Sequence, residues 1–139
     1  MTGRILIALS AAILLVLGVI HLIYTFNGTQ LTPRDPAVQT SMAETTPVIS
    51  KELSMWQAWI GFNTTHSMFL ILFGLMYSYL ALFQSEVLFR SPFLMIVGGV
   101  MLLSLLAVAR FYFFSRPFAG ACLALILYVA GILVDKLRS

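Results

Sequence analysis

Two histidines, His21 and His66, stand inside long apolar segments, and few other polar groups accompany them there. Among them are Asn63, Thr64, Thr65 and Ser67 around His66, then Ser104 and Arg110 further along. A polar or ionisable group in hydrocarbon loses its hydration, so each one marks either a site or a contact between helices. An imidazole can move a proton, ligate a metal or hold haem iron. An amide and a guanidinium can grip a polar headgroup.

Spacing says which of these groups can meet. Asn63 and His66 are three residues apart and share a helix face, with Trp59 one turn above and Leu70 and Phe73 below. His21 shares its face with Gly18 and Tyr24. At about 1.5 Å per residue, His21 lies roughly 8 Å from the end of its apolar run, with Arg110 at a similar depth. Asn63 and His66 lie roughly 10 to 15 Å in from Trp56. The expectation is one polar pocket made by His21, Asn63, His66 and Arg110 and walled by Tyr24 and Trp59. The plainer alternative is helix-to-helix hydrogen bonding, with Arg110 snorkelling to headgroups.

The chemistry open to such a pocket is narrow. Two histidines on different spans suggest bis-imidazole haem b ligation, but the counting sets them roughly 5 to 9 Å apart in depth, whereas both axial rings must lie at one level. A zinc site asks for about three protein ligands. Only Glu44 and Glu52, in the aqueous segment, could add one. No catalytic residue is assigned: Ser67 directly follows His66 and points elsewhere on the helix, and no carboxylate lies deep in a span. Met55, Met68, Met76, Met95 and Met101 are dispersed apolar filler rather than a copper cluster, and the single cysteine, Cys122, can form no intrachain disulfide. Neither metal nor cofactor is expected. Asn27-Gly28-Thr29 has the form of a glycosylation sequon but lies too close to the membrane.

The elements that hold these residues are set by composition. Of 139 residues, 60% are hydrophobic and 9% charged, against about 25% charged in soluble proteins. A bilayer, asking for about 20 apolar residues per crossing, is the solvent that accepts such a chain. The expected fold is all-α: a polytopic membrane protein, a four-transmembrane-helix bundle forming one domain over residues 1–139. The spans fall at about 5–26, 56–83, 93–114 and 117–134, with a long extracytoplasmic loop at 27–55 between the first two. Asp35-Pro36 reads as an N-cap followed by proline at the first helical position, predicting a short surface helix from Pro36 to Glu44. Pro47 and Ser50 offer the start of the second span. The short Ser115-Arg116-Pro117 connection makes the last two spans an antiparallel hairpin. Gly98 and Gly99 on one arm, and Ala119, Gly120, Ala124 and Gly131 on the other, supply the surfaces for close packing.

The apolar run after Arg4 is too long for a cleaved signal and reads as a retained first span. Basic residues divide evenly, with Arg4, Arg90, Lys136 and Arg138 on one side. Opposite them, Arg34 and Lys51 are balanced by acids and Arg110 lies within a span, which favours both termini in the cytoplasm of an inner-membrane protein. The net charge of +3 is scattered, which points to membrane lipids as partners and to no nucleic acid.

Gly18-x-x-His21, Trp56-x-x-Trp59-x-Gly61-Phe62-Asn63-x-Thr65-His66 and Ala109-Arg110-x-Tyr112-Phe113 together resemble small bacterial four-helix membrane proteins of uncharacterised function, loosely similar in size and layout to DoxX-like proteins. That resemblance carries no activity. The membrane-associated glutathione transferases are similar in length and helix number, but they imply Glu and Arg in the second helix, where this chain has neither. The functional expectation is therefore non-enzymatic: binding of a lipid or lipophilic molecule, or service as an accessory subunit of a larger membrane complex or a homo-oligomer. The rival is a membrane-embedded enzyme or redox protein using the His/Asn/Arg pocket on a quinone, haem or lipid headgroup.

Overall fold

In the computed structural model, which describes residues 2–137, six helices follow one another with no strand among the described residues. They are α1 (Thr2–Phe26), α2 (Pro36–Glu44), α3 (Met55–Phe83), α4 (Ser85–Arg90), α5 (Pro92–Tyr112) and α6 (Ser115–Lys136). Among the described residues α1, α3, α5 and α6 are the helices long and apolar enough to cross a membrane, which makes this a multi-pass membrane protein. Arg138, counted above among the cytoplasmic charges, lies outside the described residues.

Local chemistry sets the helix ends. Asp35 caps α2 by accepting the Ala37 N–H at 2.9 Å, and Pro36 opens the helix where a missing N–H costs nothing. Ser91 caps α5 in the same way through the Leu94 N–H. The start of α3 is set by Ser54 rather than by Pro47 or Ser50. Gln57 N–H donates to Ser54 Oγ at 3.2 Å while Ser54 N–H donates to Gln57 Oε1 at 2.8 Å, a reciprocal capping box. Further on, α5 stops at Tyr112, two residues short of the Phe114 expected, because Phe113 and Phe114 adopt the extended backbone that reverses the chain into α6. Pro117 then falls in the first turn of α6, whose N–H groups have no intrahelical partner in any case.

Contacts divide the chain into two compact units, each described on its own. The first comprises Met1–Leu17 and Leu70–Ser139, and the second Gly18–Phe69, so α1 and α3 each contribute one part to either. The first unit is a four-helix packing around Ile7, Ala11 and Leu14 of α1, Leu70, Tyr77 and Ala81 of α3, Leu102 of α5, and Ala124 and Tyr128 of α6. Leu88 of α4 also reaches this core.

Lipid tails are as apolar as leucine, so close contact and hydrogen bonds between helices hold such a core together. Ser10 Oγ donates to the Ala124 carbonyl at 2.6 Å, fully buried. Gly3 and Gly131 meet nearby: a Cβ on Gly131 would lie 2.9 Å from the Gly3 carbonyl oxygen and 2.7 Å from Ile7 Cγ1. The small face of α6 therefore lies against α1, not against α5 as the hairpin suggested. Gly120 likewise faces Leu17. Small side chains announce that a backbone approaches, but not whose.

The α5–α6 contact uses another device. Tyr128 Oη donates to the Met95 carbonyl at 2.8 Å, and Tyr77 Oη of α3 donates to the Leu94 carbonyl at 2.7 Å. Both rings lie over Gly98, where an added Cβ would collide with the Tyr128 hydroxyl. Two hydroxyls thus fasten α3 and α6 to the first turn of α5.

Outside these contacts the helices present large apolar side chains, among them Ile96, Phe111 and Ile126, each more than 60% exposed. Water would penalise that surface. Hydrocarbon accepts it.

Candidate functional site

The second unit joins residues 18–26 of α1, the connection that carries α2, and residues 55–69 of α3. Its polar centre is a single cross-helix bond, with His21 Nε2 2.9 Å from Asn63 Oδ1. Asn63 Nδ2 donates to the Trp59 carbonyl one turn back, at 2.8 Å, which leaves Oδ1 as the end that faces His21. An amide oxygen can only accept, so His21 carries its proton on Nε2 in this pair. Asn63 is buried at 5% exposure, so the bond replaces hydration that the amide has lost.

His66, one turn along α3 from Asn63, brings its ring to 5.2 Å from that of His21, edge to face at 77°. The Phe62 ring lies parallel to it, at 6.4 Å and 9°. The counting that separated the two histidines in depth needs correction. A 5.2 Å separation caps the difference in level between the rings at the low end of the roughly 5 to 9 Å counted. The counting measures α1 from its C-terminal end and α3 from its N-terminal end, and nothing requires the two ends to share one plane. The α3 start extends further: Trp59, five residues into the helix, already meets the loop, its Nε1–H donating to the Leu31 carbonyl at 3.0 Å.

The rings do not fit a haem between them. Edge-to-face contact leaves no slot for a macrocycle, and the His21 nitrogen that would face an iron is held by Asn63. Among the described residues no group of three His, Cys, Asp or Glu side chains is placed to hold a metal ion.

The remaining polar residues of this stretch bond within their own helix. Thr64 donates to Ile60, Thr65 to Gly61 and Phe62, and Ser67 to Asn63, each to a backbone carbonyl of the preceding turn. They are satisfied without a partner helix. Asn63 bonds across to α1 instead.

Above the histidines a half-open cavity of about 350 Å³ lies between the end of α1, the start of α3 and the loop. Tyr24, Thr25 and Phe26 line it from α1, Trp56 and Ile60 from α3, Gly28, Leu31 and Thr32 from the loop, and Gln39 from α2. Gly28 has a φ of +114°, a turn conformation that a side chain resists. Thr25 links cavity and cluster, since its hydroxyl donates to the His21 carbonyl at 2.8 Å.

Of the expected pocket, His21, Asn63 and His66 come together, Tyr24 lines the adjacent cavity, and Trp59 serves as the tie between α3 and the loop. Arg110 belongs to the first unit, exposed near the end of α5. Thr25, Gln39, Trp56 and Ile60 were not singled out as lining residues. Thr25 could have been, because it follows His21 by four and so shares its face. Gln39 could not, because its position depends on how the loop folds back.

Compared with protein-family models, with curated proteins and with solved structures, the chain matches none of them.

Proposed function

We propose that this protein is a non-enzymatic membrane protein of the inner membrane that binds a lipophilic molecule at the end of α1 and the start of α3. The observation that carries this reading is the cavity of about 350 Å³ between Tyr24, Gln39, Trp56 and Ile60, mixed polar and apolar in lining. It sits where apolar helix gives way to aqueous loop, the level at which an amphiphile changes from tail to head. His21 and Asn63 brace the two helices beneath it. Cytoplasmic termini, and a cavity opening to the opposite face, follow from the charge bias of the sequence.

The test is lipid retention. Protein purified in mild detergent is extracted with solvent, and its bound lipids are measured by mass spectrometry against an Ile60→Trp variant and a milder Ile60→Phe variant, both of which fill the cavity. One lipophile held near equimolar amount by the wild type and lost from both variants supports binding. The same mixed lipids in all three proteins mean only an annulus, and overturn it. A protein partner at fixed ratio, with no cavity ligand, favours the accessory-subunit role instead.

A further inference from the structure

The cavity of the second unit is uncharged. Among the described residues no lysine, arginine, aspartate or glutamate lines it. Its polar groups divide into two sets. The Thr25 and Thr32 hydroxyls donate to the His21 and Thr29 carbonyls, so their protons are engaged. Tyr24, Gln39 and Trp56 line the same space from three different elements, and among the described residues their side-chain polar groups make no hydrogen bond. Such a wall offers donors to an oxygen, not a counter-ion to a charge.

The start of α3 gives no anion site either. A helix N-terminus attracts anions through its free N–H groups. Here Met55 N–H donates to the Thr45 carbonyl at 2.8 Å, Gln57 N–H to Ser54 Oγ at 3.2 Å and Ala58 N–H to the Ser54 carbonyl at 3.0 Å. A phosphate entering the cavity would shed hydration with no cation and few free N–H groups to replace it. A carbonyl or hydroxyl oxygen loses far less and matches what the wall presents.

Size narrows the ligand further. At about 350 Å³ the cavity is at the small end of ligand pockets, which run from about 300 to 1,000 Å³, so it takes a headgroup and not a whole lipid. Outside it Ile20 and Ile23, both more than 40% exposed, continue down α1 as an apolar track. A tail can lie there while the head stays in the cavity.

We propose that the cavity binds the uncharged, oxygen-bearing head of a lipophile, either a quinone ring or an acylglycerol, with Tyr24, Gln39 and Trp56 donating to its oxygens. This assignment rests on the lipophile-binding reading above and adds the charge class of the ligand. The apolar walls from Phe26, Leu31 and Ile60 cover the carbon part of the head.

Three probes test it on the full chain in detergent: decylbenzoquinone, dioctanoylglycerol and dioctanoyl phosphatidylglycerol. Saturable binding is read by native mass spectrometry and by the shift in Tm. The expected result is that one neutral probe binds the wild type, and which one does so identifies the source of the head. Trp56→Phe, which keeps a ring but removes the N–H, and Gln39→Leu should each weaken that probe by about fivefold to tenfold, the loss of one hydrogen bond. Phosphatidylglycerol should bind no better to the wild type than to Ile60→Trp. Phosphatidylglycerol binding that depends on Trp56 and Gln39 overturns the neutral-head assignment and leaves lipophile binding standing. Neutral-probe binding unaffected by either variant overturns the assignment of the donors. No saturable binding of any of the three overturns both readings.

Discussion

His21 and Asn63 are joined, Nε2 to Oδ1 at 2.9 Å, across two helices, while Thr64 and Ser67 beside Asn63 bond within their own turns. A bond between two side chains makes the pair measurable. In a double-mutant cycle of His21→Ala and Asn63→Ala, followed by unfolding in detergent, the coupling should be about 0.5 to 1.7 kcal/mol, the range for polar contacts between membrane helices. Additive losses would mean that the bond contributes nothing beyond its separate halves.

The tyrosine pair over Gly98 gives a second expectation. Tyr77→Phe and Tyr128→Phe should each lower stability by about 1 kcal/mol, the worth of one hydrogen bond. Gly98→Ala should cost more than either, because its methyl would displace both rings. Melting temperatures in one detergent decide the order, and a silent Gly98→Ala would show that the rings are free to move aside.

Two glycines should respond in opposite directions. A Cβ at Gly131 meets the Gly3 carbonyl oxygen and Ile7, whereas a Cβ at Gly61 meets nothing within 4 Å. Gly131→Leu should therefore destabilise by about 1 to 3 kcal/mol through overpacking, while Gly61→Ala should stabilise by up to about 1 kcal/mol through helix propensity. Denaturant titration of both variants checks the contrast.

Orientation is open to direct labelling. Val48 is fully exposed in the loop before α3. A Val48→Cys substitution in a Cys122→Ala background should react with a membrane-impermeant maleimide from the non-cytoplasmic side of intact cells. Reaction only after permeabilisation would reverse the proposed orientation.

The capping box offers a local test. Ser54→Ala should cost about 0.5 to 2 kcal/mol by freeing the first N–H groups of α3. Because α3 begins there and carries Trp56, the same variant should increase proteolysis of the loop. Unchanged cleavage would show that the Trp59 bond to Leu31 holds the loop alone.

Much of this architecture is legible in the residues. The four apolar runs follow from the 9% charge content, and α2 is bounded by Asp35 and Pro36 as its cap chemistry requires. What escapes reading is choice of neighbour. Gly120 and Ala124 announce close packing, yet α1 rather than α5 takes the place, because a small face fits any helix. Tyr77 and Tyr128 look like filler within apolar runs, and only the carbonyls of Leu94 and Met95 reveal their purpose. In the site, the three-residue spacing puts Asn63 and His66 on one face and the expected pocket includes His21, but depth counting overstates how far His21 lies from His66.

The bond from Ser10 to the Ala124 carbonyl links residues 114 positions apart. At about 5 to 20 residues per second of synthesis, α1 waits in the bilayer for roughly 6 to 23 s before its partner exists. Through that interval the Ser10 hydroxyl and the notch at Gly3 have only lipid, water or a membrane chaperone to face. Completion of the first unit is therefore governed by the arrival of α6, and a chain interrupted before Ala124 leaves one face of α1 uncovered even though α3 already packs against another.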